Sequence, residues 1–326
     1  MLSGISRSSN LVLAQSMRAW RFYAHGGIEQ LRLETTPLPS PADGELLVRV
    51  AASGANPIDW RMLAGQVRDQ FDIRFPRILG RDCAGVVVQS RSPHFQPGER
   101  VLAANDPRKD GTHAEYAVVP AEQASRIPAS LTDVEAAATG SSGITAWIAM
   151  AEIAQVIQGN KVLIHAGAGG VGGIAVQLAR HFGAEVLATC STRNLAYVRS
   201  LGAHRAIDYT REDFVQSAGL CDIVFDTIGG DTYRRSLEAL KPGGLLVRVS
   251  AEPIGSKPPR ADVRVVHAQI RASSERFERL MDLAVRGALK PQIGQTWPFE
   301  RLPEAYEASR SGHSRGKKIV LVSAPR

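Results

Sequence analysis

The stretch His165–Ala179, HAGAGGVGGIAVQLA, places Gly167, Gly169 and Gly172 in a GxGxxG spacing, directly after a short apolar run and directly before an amphipathic one. Between a strand and a helix, glycines so spaced serve one purpose well. The first allows a tight bend, the second lets the main chain approach a diphosphate, and the third lets helix and strand pack closely. The opening amides of the helix, from Gly170 and Val171 to Gly172, then face the phosphates, and the helix dipole favours their negative charge. A merely flexible turn would need neither the strand nor the helix, and no GK[ST] follows these glycines to make a P-loop. The expected ligand is a dinucleotide. About 20 residues further on, NAD-specific sites hold an acid for the ribose 2′-hydroxyl. Here the second strand ends in Cys190, Ser191, Thr192, Arg193 and Asn194, with no carboxylate. An acid would repel a 2′-phosphate, whereas the Ser191 hydroxyl and the Arg193 guanidinium can bind one through charge-assisted hydrogen bonds. NADPH is therefore the expected coenzyme; the alternative for Arg193 is a solvated residue at a helix start.

The elements that must position this turn follow from the hydrophobic pattern. Val171, Ile174, Ala175, Leu178, Ala179 and Phe182 form one apolar stripe at helical spacing. Short apolar runs at KVLIH, EVLATC, HRAIDY, CDIVFD, LLVRVS and VRVVHAQI alternate with helical segments, which predicts a doubly wound parallel sheet of the Rossmann kind. The first third differs, with β-like runs such as ELLVRVAASG, DCAGVVVQS and RVLAAN separated by turn chemistry. A helix rich in alanine begins near Leu131, with Thr132 and Asp133 as candidate caps. A last strand, KKIVLV, comes after the parallel sheet is complete, so the tail is expected to return to the first unit and leave a cleft between the two.

Composition sets the outer bounds. The chain has 326 residues, enough for two domains, and is 44% hydrophobic, enough for two cores. No apolar run approaches the roughly 20 residues that span a bilayer, so no membrane partner is expected. The net charge is +7, but the Lys and Arg are scattered without a basic block, which disfavours nucleic acid as the main partner. Cys83, Cys190 and Cys221 have neither disulfide nor zinc-ligand spacing, and a reducing cytoplasm is the expected compartment. Cys83, within an apolar run, reads as an inert core cysteine. Residues 1–16 contain Ser and Arg but no acid; they read as a disordered extension in preference to a targeting peptide.

Taken in order, GANPID (54–59), LGRDCAGVV (79–87), PGERV (97–101), HAGAGGVG (165–172), FDTIGG (225–230), LKPGG (240–244) and RGKKIVL (315–321) resemble the medium-chain dehydrogenase/reductase superfamily, in its zinc-independent, zeta-crystallin-like quinone oxidoreductase branch. The resemblance implies a β-rich, GroES-like substrate domain made of residues 17–138 plus 271–326, a Rossmann domain at 139–270 inserted into it, and a homodimer. It also places Tyr209 beside the 2′-phosphate with Ser191 and Arg193, Thr145 near the nicotinamide and phosphates, and the backbone of Val249 and Ser250 along the nicotinamide carboxamide. Zinc-dependent cousins carry GHE where this chain has Gly80, Arg81 and Asp82, and a cysteine ligand where it has Asn56. Zinc needs imidazoles or thiolates, so no catalytic metal is expected.

With no metal, the family match puts Asn56 at the cleft floor as a hydrogen-bond donor to a substrate carbonyl, and Asp59 as an orienting group or a purely structural one. Arg81 is expected either to stabilise an oxyanion or, in preference, to pair with Asp59 or Asp82. His165 reads as a satisfied histidine near the turn. The expected activity is NADPH-dependent hydride transfer to a quinone or an α,β-unsaturated carbonyl. Two alternatives stand beside it: an enoyl-thioester reductase, disfavoured because Trp60 and Arg61 but no nearby tyrosine follow Asn56, and a non-catalytic NADPH-binding protein with a nucleic-acid or protein partner.

Overall fold

The structure is a computed structural model that describes residues 15–105, 107–249, 260–312 and 315–323. Ser250 and nearly all of the expected N-terminal extension lie outside the described residues. The chain starts with β1 (Ser16–Phe22), which pairs antiparallel with β2 (Arg32–Pro37). Next come β3 (Glu45–Ala55), the short helix α1 (Pro57–Leu63), β4 (Arg77–Ile78), β5 (Asp82–Ser90), β6 (Arg100–Ala104), β7 (Tyr116–Pro120) and β8 (Ala124–Arg126). Strand β3 is buried along nearly its whole length because it pairs with both β5 and β7. Helix α2 (Asp133–Trp147) opens on a capping box: the Thr132 hydroxyl accepts from the Glu135 amide at 3.2 Å, and the Glu135 carboxylate accepts from the Thr132 amide at 2.9 Å.

The glycine turn follows β9 (Lys161–Ile164) and leads into α3 (Gly170–His181). Then come β10 (Glu185–Cys190), α4 (Leu195–Ser200), β11 (Arg205–Asp208), α5 (Phe214–Ala218), β12 (Cys221–Asp226), α6 (Gly230–Glu238), β13 (Leu240–Arg248) and β14 (Arg264–His267). These six strands form one parallel sheet in the order β11-β10-β9-β12-β13-β14. The chain reverses its direction of winding between β9 and β12, so a crevice opens at their carboxyl ends, the place where such sheets bind ligands. Ile174, Val176 and Leu178 of α3 pack on one face of the sheet, and Phe214, Tyr233 and Leu237 on the other.

Helix α7 (Ser274–Val285) buries Phe277 and Leu280 in the core under α2 and α3. The tail continues through β15 (Ile293–Pro298), α8 (Leu302–Arg310) and β16 (Lys317–Leu321). Strand β16 lies antiparallel to β3, with Lys318 opposite Ala55 and Leu321 opposite Ala52. The end of the chain thus completes the sheet that its beginning started. The fold is α/β: a doubly wound parallel sheet beside a β-rich, GroES-like unit. Among the described residues no helix is long and apolar enough to cross a membrane.

Candidate active site

Two structures meet where the parallel sheet faces β16. The first is the glycine turn. A Cβ on Gly172 would lie 2.2 Å from the Ala166 carbonyl oxygen, so only glycine lets α3 start this close to the end of β9. The first-turn amides of α3 have no intrahelical acceptor, which leaves them free for an anion. The turn is also braced from the other sheet: the Gly316 amide donates to the Ala168 carbonyl at 2.8 Å, and Gly169 and Gly316 form a parallel bridge.

The second structure is a buried polar cluster at the base of β3, β5 and β16. The Asp82 carboxylate accepts from the Asn56 amide at 2.9 Å and from the Ser141 backbone amide at 2.6 Å, and lies 3.5 Å from the Lys317 ammonium. Lys317 also donates to the Asn56 side-chain carbonyl. Asp82 and Lys317 are almost completely buried, at 0% and 4% side-chain exposure, so neither charge is compensated by water. A Cβ on Gly140, at the kink of α2, would lie 2.3 Å from the Asp82 carboxylate, so the kinked glycine makes room for the acid. Lys317 touches the phosphate turn as well: its Cδ lies 3.5 Å from the position of a Cβ on Gly170, next to the Ser142 hydroxyl at 3.0 Å. One lysine therefore borders both structures.

Asn56 does not offer the free amide expected of it, because its nitrogen already donates to both Gly54 O, at 3.0 Å, and Asp82. Asp59 receives the Asn56 backbone amide at 2.7 Å, and its second carboxylate oxygen is buried without a hydrogen bond. Burial, reinforced by the negative charge of Asp82, pushes its pKa up to about 7. Since the folded-state value exceeds the ordinary one near 4, the contribution of Asp59 to stability is present below about pH 4 and is lost as pH rises through 7. Asp59→Asn is therefore expected to gain on wild type by up to a few kcal/mol between about pH 4 and 7. Paired urea titrations across that range check this; parallel pH profiles would show that Asp59 does not titrate there.

The other expected residues group clearly. Gly167, Gly169, Gly170, Val171 and Gly172 make the turn after β9, and Ser191 and Arg193 follow β10. Tyr209 follows β11 with its ring half exposed, and its backbone amide donates to Cys190 O at 3.2 Å. The Val249 amide, just after β13, donates to Asp226 O at 3.1 Å, at the end of β12. All of these stand at the carboxyl edge of the sheet. Thr145 lies in α2 and donates its hydroxyl to Ser141 O at 2.7 Å, beside the cluster. Asp208, which pairs with Cys190 across β10 and β11, accepts from the hydroxyls of Thr192, at 2.5 Å, and Thr210, at 2.7 Å.

His165 is a satisfied core residue between the hydroxyls of Thr189, at 3.1 Å, and Ser236, at 2.9 Å; burial lowers its pKa to about 3. Burial pushes the Cys83 thiol well up, as suits an inert cysteine. Asp82 pairs with Lys317, at the far end of the chain, while the charge of Arg81 acts on the Asp59 carboxylate and opposes the rise of its pKa. Sequence reasoning missed Lys317, and with it Arg315 and Lys318; the available signal was the Lys-Lys doublet in RGKKIVL, where strand alternation sends the two side chains to opposite faces. Among the described residues no group of three His, Cys, Asp or Glu side chains could hold a metal ion.

Comparison with known proteins fits this geometry. Residues 42–129 match the alcohol dehydrogenase GroES-like domain model, and residues 201–321 match the zinc-binding dehydrogenase model. The mitochondrial NAD(P)H oxidoreductase RTN4IP1 of Mus musculus is 32% identical, over 98% of this chain and 92% of its own. The chloroplastic NADPH-dependent alkenal/one oxidoreductase of Arabidopsis thaliana is 30% identical, over 98% of this chain and 83% of its own. Among solved structures, the quinone oxidoreductase from Coxiella burnetii superposes with a TM-score of 0.88 at 30% identity, covering 94% of this chain and 100% of that one.

Proposed function

Since the chain belongs to the quinone oxidoreductase branch of the medium-chain dehydrogenase/reductase superfamily and is an NADPH-dependent oxidoreductase, we propose that it reduces a quinone or an α,β-unsaturated ketone or aldehyde without a catalytic zinc. The observation that carries this reading is the contact of the phosphate turn with the Asn56–Asp82–Lys317 cluster, which sets a coenzyme site and a polar cleft floor on one wall. Relatives named for alkenal/one and quinone reduction support the acceptor class. Arg81 and Asn56 at the positions of the cousins' metal ligands support the absence of zinc.

NADPH fits the residues present: close-packed glycines, open amides at the start of α3, and Arg193 instead of an acid after β10. When bound, the coenzyme supplies a hydride. The chain's own residues do the rest. The turn and Thr145 hold the diphosphate end, Ser191, Arg193 and Tyr209 the ribose phosphate, and the backbone after β13, through Val249 and Ser250, the carboxamide. Asn56 is a positioning residue, fixed by Asp82 and Lys317, and Asp59 orients it through its backbone amide. Residues 139–270 then form the coenzyme domain, flanked by 17–138 and 271–326. A homodimer through the Rossmann sheets suits β14, an edge strand paired only with β13 among the described residues. Three buried free cysteines fit a reducing compartment such as the cytoplasm.

The test is NADPH oxidation by the purified protein across a panel of quinones and enones, with and without a chelator. Turnover with at least one acceptor, undiminished by chelation, is expected. Asn56→Ala should lower kcat about 100-fold while leaving the KM for NADPH nearly unchanged, because misplacing the acceptor slows the chemical step without touching the coenzyme. Tight NADPH binding with no turnover on any acceptor would sink the reductase reading in favour of a non-catalytic binding protein.

A further inference from the structure

Strand β4 pairs antiparallel with β1, with Arg77 opposite Phe22 and Ile78 opposite Arg21. Alternation along the two strands sends Ile78 to one face, where it packs with Met17, Ala19 and Ala114, and Arg77 to the other, the face on which Phe22 enters the main core of the β-rich unit. A guanidinium therefore lies against an apolar wall. Arg77 is only 7% exposed, and among the described residues its side chain has neither ion pair nor hydrogen bond. Its Nε is sealed from solvent without an acceptor, whereas the terminal nitrogens, which bond nothing either, are not sealed, so the fork opens outward at its tip. Asp110 is turned to the main chain instead, where its carboxylate accepts the Ile78 amide at 3.0 Å. Two residues before Arg77 stands Phe75, whose ring packs edge-on against Phe22 at 5.3 Å and His25 at 5.1 Å between centroids, yet is 41% exposed.

An arginine cannot shed its proton to suit a buried place. Left without a counter-charge it costs stability, and its donors go unpaired where water reaches only the tip. An anion seated on the fork offsets both costs. Its class follows from charge and shape. A carboxylate brings one negative charge to one positive charge and meets the planar fork with two parallel hydrogen bonds, whereas a phosphomonoester dianion would carry a surplus charge against an apolar wall. The open face of Phe75 suits a ring attached to that carboxylate.

We propose that Arg77 and Phe75 form a binding site for the carboxylate of an aromatic small molecule. Two sources present that group. The segment from Asn56 to Asp82 leaves the cleft floor as α1 and returns to it as β5, its ends joined by the Asn56–Asp82 hydrogen bond at 2.9 Å, and Arg77 stands on the returning limb. The carboxylate then belongs to the acceptor, in which case Arg77 determines specificity and the inference rests on the reductase reading given above, or it belongs to a separate molecule held at the wall of the β-rich unit.

The experiment uses the full chain as wild type, Arg77→Met and Arg77→Lys. Without ligand, Arg77→Met is expected to melt no lower than wild type, because it removes an uncompensated charge and keeps much of the volume; a drop of several degrees would mean that the guanidinium is already satisfied within the fold and would count against the site. Turnover with NADPH is then measured on trans-3-benzoylacrylate and on its methyl ester, and benzoate is titrated by thermal shift with benzamide as the neutral control. If the acceptor carries the carboxylate, Arg77→Met lowers kcat/KM for the acid at least about tenfold and leaves the ester within about twofold, and Arg77→Lys restores only part of the loss, because an ammonium lacks the fork. If a separate molecule is the source, the acid-to-ester ratio is the same in all three proteins, while benzoate raises the melting temperature of wild type and not of Arg77→Met. An unchanged ratio together with a benzoate response equal in wild type and Arg77→Met would overturn the proposal. Should wild type reduce no acceptor at all, the reductase reading fails, and the benzoate titration still decides the site on its own.

Discussion

Gly172→Ala is expected to abolish measurable NADPH turnover and to lower coenzyme affinity at least about 100-fold, the loss that follows when a bound group is misplaced by about an ångström. The cause is a single contact. A Cβ at position 172 would lie 2.2 Å from the Ala166 carbonyl oxygen, 2.8 Å from its carbon and 3.1 Å from Gly167 Cα, all of them backbone atoms. No side-chain rotation relieves this, and Ala166 has little room to yield: it is held in the left-handed region at φ 52°, and its carbonyl accepts the Gly169 amide at 2.9 Å. The helix must therefore move away from the strand, and its first amides move with it. Gly173→Ala is the control, because there the nearest atom is the flexible Leu201 Cδ1 at 3.2 Å. Equilibrium dialysis with NADPH on both variants separates the two outcomes. Wild-type affinity in Gly172→Ala would mean that the turn does not carry the diphosphate.

The part of the fold that could be read from sequence is the part written in local patterns. Each Rossmann strand shows as a short apolar run, and α3 shows its stripe from Val171 to Phe182, because both faces of a parallel sheet are buried and each strand must be apolar throughout. The strand β15 did not show itself: IGQTWP has one buried side chain, Trp297, and is otherwise exposed at the sheet edge. The helices α5 and α6 show no apolar stripe like that of α3, because α5 spans only five residues and α6 is mostly polar. At the site, the glycine turn was legible because GxGxxG is contiguous and its strand and helix adjoin it. The Asn56–Asp82–Lys317 cluster was not, because its members come from β3, β5 and β16, and nothing local in RGKKIVL says which lysine turns inward. Register decides that: Lys318 pairs with Ala55, so Lys317 falls beside Asn56.

Asp82→Leu is expected to cost about 3–5 kcal/mol of stability, because it leaves the Lys317 ammonium buried without its counter-charge. Lys317→Met should cost less. The Asp82 carboxylate would still accept from the Asn56 side chain at 2.9 Å and from Ser141 at 2.6 Å, so its charge would keep two of its partners. Combining the two replacements removes both charges, and such pairs are often tolerated when apolar groups of similar volume fill the space. The double variant should therefore be less destabilised than the sum of the two single replacements, by about 1–3 kcal/mol of favourable coupling. Turnover should not recover with it. Asn56 would keep its bond to Gly54 O but lose Asp82 on one side and Lys317 on the other, and Ser141, next to the Gly140 kink of α2, would lose its acceptor. Urea denaturation gives the coupling, and single-turnover rates with saturating NADPH give the chemistry. If the double variant regained activity along with stability, the ion pair would be scaffolding alone, and Asn56 would need neither charge to hold its place.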